Sequence, residues 1–151
     1  QTIGGAVPSP FDCWLLNRSI ATFFIRLEKQ ALNAQLLAEY FESCPKILKT
    51  NYPGLPSHWQ HETAKKQMKN GFGAMISILF DGTEQESIKF CTKLKIFKNA
   101  TSLGGVESMV DHRKSNEGTT STSPENLIRV SVGIEDINDL IQDFKQAIAN
   151  D

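Results

Sequence analysis

Hydrophobic and polar positions follow two periods along this chain, and the change of period marks its elements. From Ile20 onward, Phe23, Phe24, Leu27, Ala31, Ala34, Ala38 and Phe41 recur three and four residues apart, the stripe of an amphipathic helix about 20 residues long. Arg26, Lys29, Gln30, Asn33 and Gln35 fall on the opposite side and are expected in solvent. Cys44-Pro45 ends the helix, because proline disfavours helical geometry in the residue before it. Upstream, Ser9, Pro10 and Asp12 carry the start chemistry of an earlier helix: a hydroxyl cap, a proline at the first helical position and an acid in the first turn. Near the other end the period becomes two. In residues 126–133 (NLIRVSVG), Ile128, Val130 and Val132 alternate with Leu127, Arg129 and Ser131, which predicts a strand with one apolar, β-branched face and Arg129 on the other.

Between these ends the same signals predict the remaining elements. Residues 46–52 read as a short strand and Pro53-Gly54 with Pro56 as a turn. Ser57 is the expected cap of a helix running to Met68, with Glu62 early and Lys65, Lys66 and Lys69 late, as the helix dipole favours. The apolar run in residues 74–80 reads as a central strand. After the Asp81-Gly82 turn, Thr83 caps a helix with Ile88, Cys91 and Leu94 facing inward. Ile96-Phe97 and residues 109–111 are expected as brief strands flanking a glycine loop, TSLGGVES (residues 101–108). Residues 113–126, rich in Ser, Thr and Gly, read as an exposed loop. Asp136 caps a last helix whose stripe is Ile137, Leu140, Ile141, Phe144 and Ile148. Helices on one face of a small, mainly antiparallel sheet would bury these stripes, which predicts an α+β two-layer sandwich. Residues 1–151 form a single domain: 1–45 a helical lead-in and long helix, 46–151 a sheet-and-helix unit.

Composition narrows the function classes. The chain has 151 residues, 40% hydrophobic and 22% charged, with a net charge of −1. That is ordinary globular composition, with no electrostatic pull toward nucleic acid or an anionic membrane. No apolar run reaches the ~20 residues of a membrane helix. Cys13, Cys44 and Cys91 are widely spaced and match no disulfide framework or metal knuckle, so free, buried thiols in a reducing, cytoplasmic setting are expected. The chain shows no secretory signal and does not begin with Met, which leaves processing, an engineered start or a piece of a longer protein. The sequons at Asn17 and Asn99 then read as chance.

Among candidate chemistries, His58, His61 and Glu62 spell neither zincin order and read as a helix start. Gly71-Phe72-Gly73 lacks the third glycine of a dinucleotide fingerprint. Lys93 sits on the polar side of its helix with nothing to desolvate it as a Schiff-base amine. The loop around Gly104-Gly105 reads equally as a tight turn or as a backbone that a ligand can approach, with the hydroxyls of Thr101 and Ser102 beside it. Arg129, taken alone, reads as a solvated position on a strand face.

Four segments change that reading: GAVPSPFDCWLLNRSIATFFIRLEKQ, NYPGLPSHWQHETAKKQM with its GFGAM, TSLGGVES, and LIRVSVGIEDINDLIQDF. In this order they resemble the C-terminal part of the Cys/Met-metabolism family of pyridoxal-phosphate enzymes, the trans-sulfuration enzymes of the cystathionine gamma-synthase and gamma-lyase type. The resemblance implies the small C-terminal domain of a fold-type I enzyme, a homotetramer acting on cystathionine or activated homoserine. It places the arginine that binds the substrate α-carboxylate at Arg129, and a serine near cofactor and substrate at Ser102. The position before that serine is acidic in many γ-acting members and tyrosine in β-lyases. Here it is Thr101, so the reaction stays open. The segment after SLGGVES is shorter than the Thr-His loop of many members. The family's cofactor lysine, in its S-x-T-K context, has no counterpart in these 151 residues. The chain is therefore expected to bind no pyridoxal phosphate alone, to supply no catalytic residue, and to be inactive in isolation. A free-standing binding or assembly module derived from that domain is the alternative.

Overall fold

The computed structural model describes residues 3–149. Two helices, α1 (Pro10–Ile20) and α2 (Phe23–Ser43), precede strand β1 (Ile47–Asn51), helix α3 (His61–Gln67), strand β2 (Met75–Phe80) and helix α4 (Glu84–Lys93). Strands β3 (Lys98–Asn99) and β4 (Met109–His112), helix α5 (Arg113–Glu117), strand β5 (Leu127–Ser131) and helix α6 (Ile137–Ala149) follow. The five strands form one sheet in the order β1-β2-β5-β4-β3. All neighbours are antiparallel except β3 and β4, so the architecture is the expected α+β one.

Helices α2, α4 and α6 cover one face of this sheet. Ile76, Ile78 and Phe80 of β2, Val110 of β4, and Ile128 and Val130 of β5 are buried beneath them. Phe144 of α6 is the hub, its ring 4.6 Å from Phe41, 5.5 Å from Phe90 and 4.9 Å from Phe97. Edge and tilted aromatic contacts of this kind add to area burial. The caps follow the side chains foreseen for them. Ser9 accepts from Asp12 N with Pro10 at the helix start, Thr83 and Glu86 form a reciprocal capping box, and Asp136 accepts from Asn138 N at 2.8 Å.

The structure corrects several local expectations. The sheet reaches only the second half of α2, so Phe23 and Phe24 stand exposed while Ala31, Ala34, Leu37, Ala38 and Phe41 are buried. Gln30 and Asn33, expected in solvent, are buried too, because backbone carbonyls meet their amides. Helix α3 starts only at His61, with no side-chain cap, and the Ser57 hydroxyl instead donates to Glu42. In α4, Ile88 lies at the edge and Phe90 takes the inward position. The brief strand expected at Ile96-Phe97 forms at Lys98–Asn99. The amides of residues 95–97 are taken by the Asp143 carboxylate, which leaves those donors nothing to give a ladder. The loop after β4 begins with the short helix α5, because the His112 ring accepts from Ser115 N at its start. The same loop is closed by the hydroxyls of Ser121 and Ser123, which donate to Glu117.

Cysteine burial also differs from expectation. Cys44 and Cys91 are buried, but Cys13 on α1 is exposed. Burial, reinforced by the charge of Asp111, pushes the Cys91 thiol up to about 12. A thiol reagent at neutral pH is therefore expected to label Cys13 quickly and to reach Cys44 and Cys91 only on unfolding. Counting fast-reacting thiols by mass spectrometry checks this, and more than one contradicts it.

Candidate functional site

Antiparallel register assembles residues that are far apart in sequence. Asn51 of β1 stands opposite Ser77 of β2, Ser77 opposite Arg129 of β5, and Arg129 opposite Asp111 of β4. Side chains at paired positions share a face. Asn51, Ser77, Arg129 and Asp111 thus form a polar row across four strands, on the face turned away from Val130 and Ile128. The Asn51 amide donates to the Ser77 hydroxyl at 3.3 Å.

Arg129 is the half-buried cation of that row, with 23% of its side chain accessible, whereas Asp111 beside it has 1%. Both contacts of the guanidinium are made by Nη2, which donates to Asp111 Oδ2 and, at 3.3 Å, to the carbonyl of Ser102. The other oxygen of Asp111 is buried without a hydrogen bond, although Arg113 Nη1 lies 3.5 Å away. Arg113 itself donates to Glu117 at 2.6 Å. The Ser121 and Ser123 hydroxyls, with the Arg113 cation, hold the Glu117 carboxyl down at about 2. A carboxylate flanked by two guanidinium groups keeps both positive charges close together. With Glu117 counted, the cluster of Arg129, Asp111, Arg113 and Glu117 is neutral overall, and what suits it to an anionic ligand is the planar fork of Arg129, whose Nη1 and Nε make no bond within the cluster.

The glycine loop is fastened over this row from both sides. Gly104, at φ +77°, donates its N–H to Ser131 Oγ at 3.1 Å, and the buried Gln30 amide donates to Gly105 O. Glu135, just after β5, accepts from both the backbone N–H and the hydroxyl of Ser108. Asn33 donates to the carbonyls of Gly133 and Glu135. A Cβ at Gly133 would lie 2.3 Å from Val106 O and 2.7 Å from Ser108 N, so only glycine lets the loop lie this close. Helix α2 thereby fixes both the loop and the end of the arginine strand.

Of the residues singled out in the sequence, Arg129 and Ser102 are brought together. Ser102 takes part through its carbonyl, not its hydroxyl. Thr101 is exposed one position upstream and is not among the groups bonded to Arg129. Sequence reasoning missed Asp111, Arg113, Gln30, Asn33 and Glu135. Only the Val110/Asp111 alternation hinted at the first of these. His58 and His61 lie around the start of α3, where His61 bonds Pro53 O at 2.8 Å. No cluster of His, Cys, Asp and Glu suited to a metal ion occurs among the described residues. An open cleft of ≈ 680 Å³ between α2 and residues 69–72 shares no residue with the arginine cluster, and its lining is mostly apolar.

The sheet thus presents the Arg129 guanidinium beside a clamped glycine loop within an α+β fold. The chain belongs to the family of Cys/Met metabolism PLP-dependent enzymes, whose model matches residues 1–149. It is 44% identical to a cystathionine gamma-lyase of Dictyostelium discoideum, over 95% of this chain and 39% of that enzyme. It is 41% identical to a cystathionine gamma-synthase of Mycobacterium tuberculosis, over 98% of this chain and 39% of that enzyme. The crystal structure of metB from Corynebacterium glutamicum superposes with a TM-score of 0.89 at 43% identity, covering 97% of this chain and 39% of that one. The chain thus spans about two fifths of the length of the relatives it matches. No helix among the described residues is long and apolar enough to cross a membrane.

Lysines near the site do not suit a Schiff-base cofactor. Lys98 is paired with Glu107, and Lys114 with Glu84 and Glu125. No lysine is among the groups bonded around Arg129.

Proposed function

We propose that this chain is the C-terminal, substrate-gripping domain of a cytoplasmic, homotetrameric trans-sulfuration enzyme that acts at the γ-carbon of cystathionine or a homoserine ester. The observation that carries this reading is Arg129, a half-buried guanidinium held beside the glycine loop in a chain of this family. Arg129 binds the substrate α-carboxylate, with Ser102 and Thr101 bordering the same ligand. Residues 46–151 form the clamp, and residues 1–45 lead into it from the remainder of the enzyme. Pyridoxal phosphate, held by that remainder, supplies the electron-sink chemistry. The exposed Phe11, Trp14, Leu16 and Phe24 on α1 and α2 support burial against further protein, since a monomer seldom leaves so many large apolar side chains of neighbouring elements in water.

The test has two parts. The native polypeptide, detected in cells with an antibody to this domain, should be far heavier than 16.8 kDa. The 151-residue chain, supplied with pyridoxal phosphate and cystathionine, should show no turnover. A native species at that small mass, or turnover by this chain that Arg129→Ala abolishes, overturns the proposal.

A further inference from the structure

We propose that Asp111 is a positioning residue for substrate binding, setting the plane of the Arg129 guanidinium through Nη2. The inference rests on the reading of Arg129 as the carboxylate clamp. Asp111 stands directly opposite Arg129 in the β4–β5 ladder and is 1% exposed, so its carboxylate has little room to move. A buried carboxylate requires a charged or hydrogen-bonded partner, and among the described residues the hydrogen bond made to the Asp111 side chain comes from Arg129. The second Nη2 contact is weaker, a 3.3 Å bond to the neutral carbonyl of Ser102. Neither contact uses Nη1 or Nε. An incoming carboxylate displaces the Ser102 carbonyl, because an ionised acceptor bonds about twice as strongly as a neutral one. It then spans Nη2 and a neighbouring nitrogen while Asp111 keeps its hold on the other hydrogen of Nη2. Asp111 would oppose an anion if it acted alone. Arg113 lies 3.5 Å from its second oxygen but is itself paired with Glu117, so it offsets only part of that charge, and the positioning role requires that orientation outweigh the remainder.

The test uses the complete enzyme that carries this domain. Asp111→Asn keeps the shape and removes the charge that fixes the fork. It is expected to raise KM for the amino-acid substrate about tenfold while kcat changes much less. A merely structural role would not move one further readout, the preference for a substrate-like inhibitor with a free α-carboxylate over its α-carboxamide. That preference should fall by a similar factor. Asp111→Glu, which keeps the charge but displaces it by one methylene, should lie between wild type and Asn, and serves as the variant if Asn does not fold. In Arg129→Lys, adding Asp111→Asn should cost nothing more, since the group being oriented is gone. If the Asp111 variants bind the carboxylate inhibitor as well as wild type or better, while Arg129→Lys loses the preference, the positioning role is overturned and the clamp stands. If Arg129→Lys also keeps the preference, the clamp reading has failed and the positioning role falls with it.

Discussion

Arg129→Lys in the complete enzyme is expected to raise KM for the amino-acid substrate by about 10- to 100-fold, the loss typical of charge-assisted hydrogen bonds to an ionised group. Lysine keeps the charge but not the planar fork. It can approach Asp111 or a ligand carboxylate as a point charge, and it cannot grip the ligand with two parallel N–H bonds while a third hydrogen stays with Asp111. Arg129→Ala should do more, and for two reasons. It deletes the clamp, and it leaves the Asp111 carboxylate buried with Arg113 at 3.5 Å as its nearest cation. Breaking a buried pair from one side is costly, about 3–5 kcal/mol in comparable cases. The alanine variant should therefore lose thermal stability as well as affinity, and the lysine variant mainly affinity. Steady-state kinetics over a range of substrate concentrations, with a melting curve for each variant, separates the two effects. A lysine variant whose rate depends on substrate concentration as the wild type's does would remove Arg129 from the binding role.

The second large effect is on folding. Asp143, on the buried side of α6, accepts hydrogen bonds from the backbone N–H groups of Lys95, Ile96 and Phe97 at 2.8–3.2 Å and from the Gln146 amide at 3.0 Å. Asp143→Ala leaves the three backbone N–H groups without that acceptor in a part-buried turn, where each unsatisfied group costs about 1–3 kcal/mol. We expect a loss of about 3 kcal/mol or more. Asp143→Asn keeps an oxygen acceptor and should lose clearly less. Denaturant unfolding of the wild type and both variants measures this through the midpoint at constant slope. An alanine variant within about 0.5 kcal/mol of wild type, the range of ordinary surface changes, would show that water replaces the carboxylate freely. The consequence reaches the site. Residues 95–97 lead into β3, which pairs with β4, and β4 carries Asp111.

Several parts of this molecule were legible in the sequence because their causes are local. The apolar face of β5 and the stripe of α6 are periodicities, and a period of two or 3.6 is written in neighbouring residues. Ser9, Thr83 and Asp136 were recognisable as caps because an oxygen one to three residues before a helix can reach only that helix's first amides. The family was legible too, since motifs such as SLGGVES and RVSVGIED are contiguous. Arg129 and Ser102 entered through those motifs, not through any pattern of charge.

The rest depended on distant partners. Gln30 and Asn33 look like solvent positions in a helix, and they are buried because carbonyls 75 and 100 residues away meet their amides. Asp143 sits within the apolar stripe of α6 and reads as a blemish there until the 95–97 turn arrives with its free N–H groups. Asp111 is one acid in a short strand, and strand register alone sets it against Arg129. The sequence by itself determined which faces are apolar, where α1, α4 and α6 start and which family the chain resembles, because those properties depend on residues within a turn or two of one another. The tertiary structure alone decided which buried polar groups find partners and how the arginine is aimed, because a long-range hydrogen bond exists only once the sheet has brought both of its ends together.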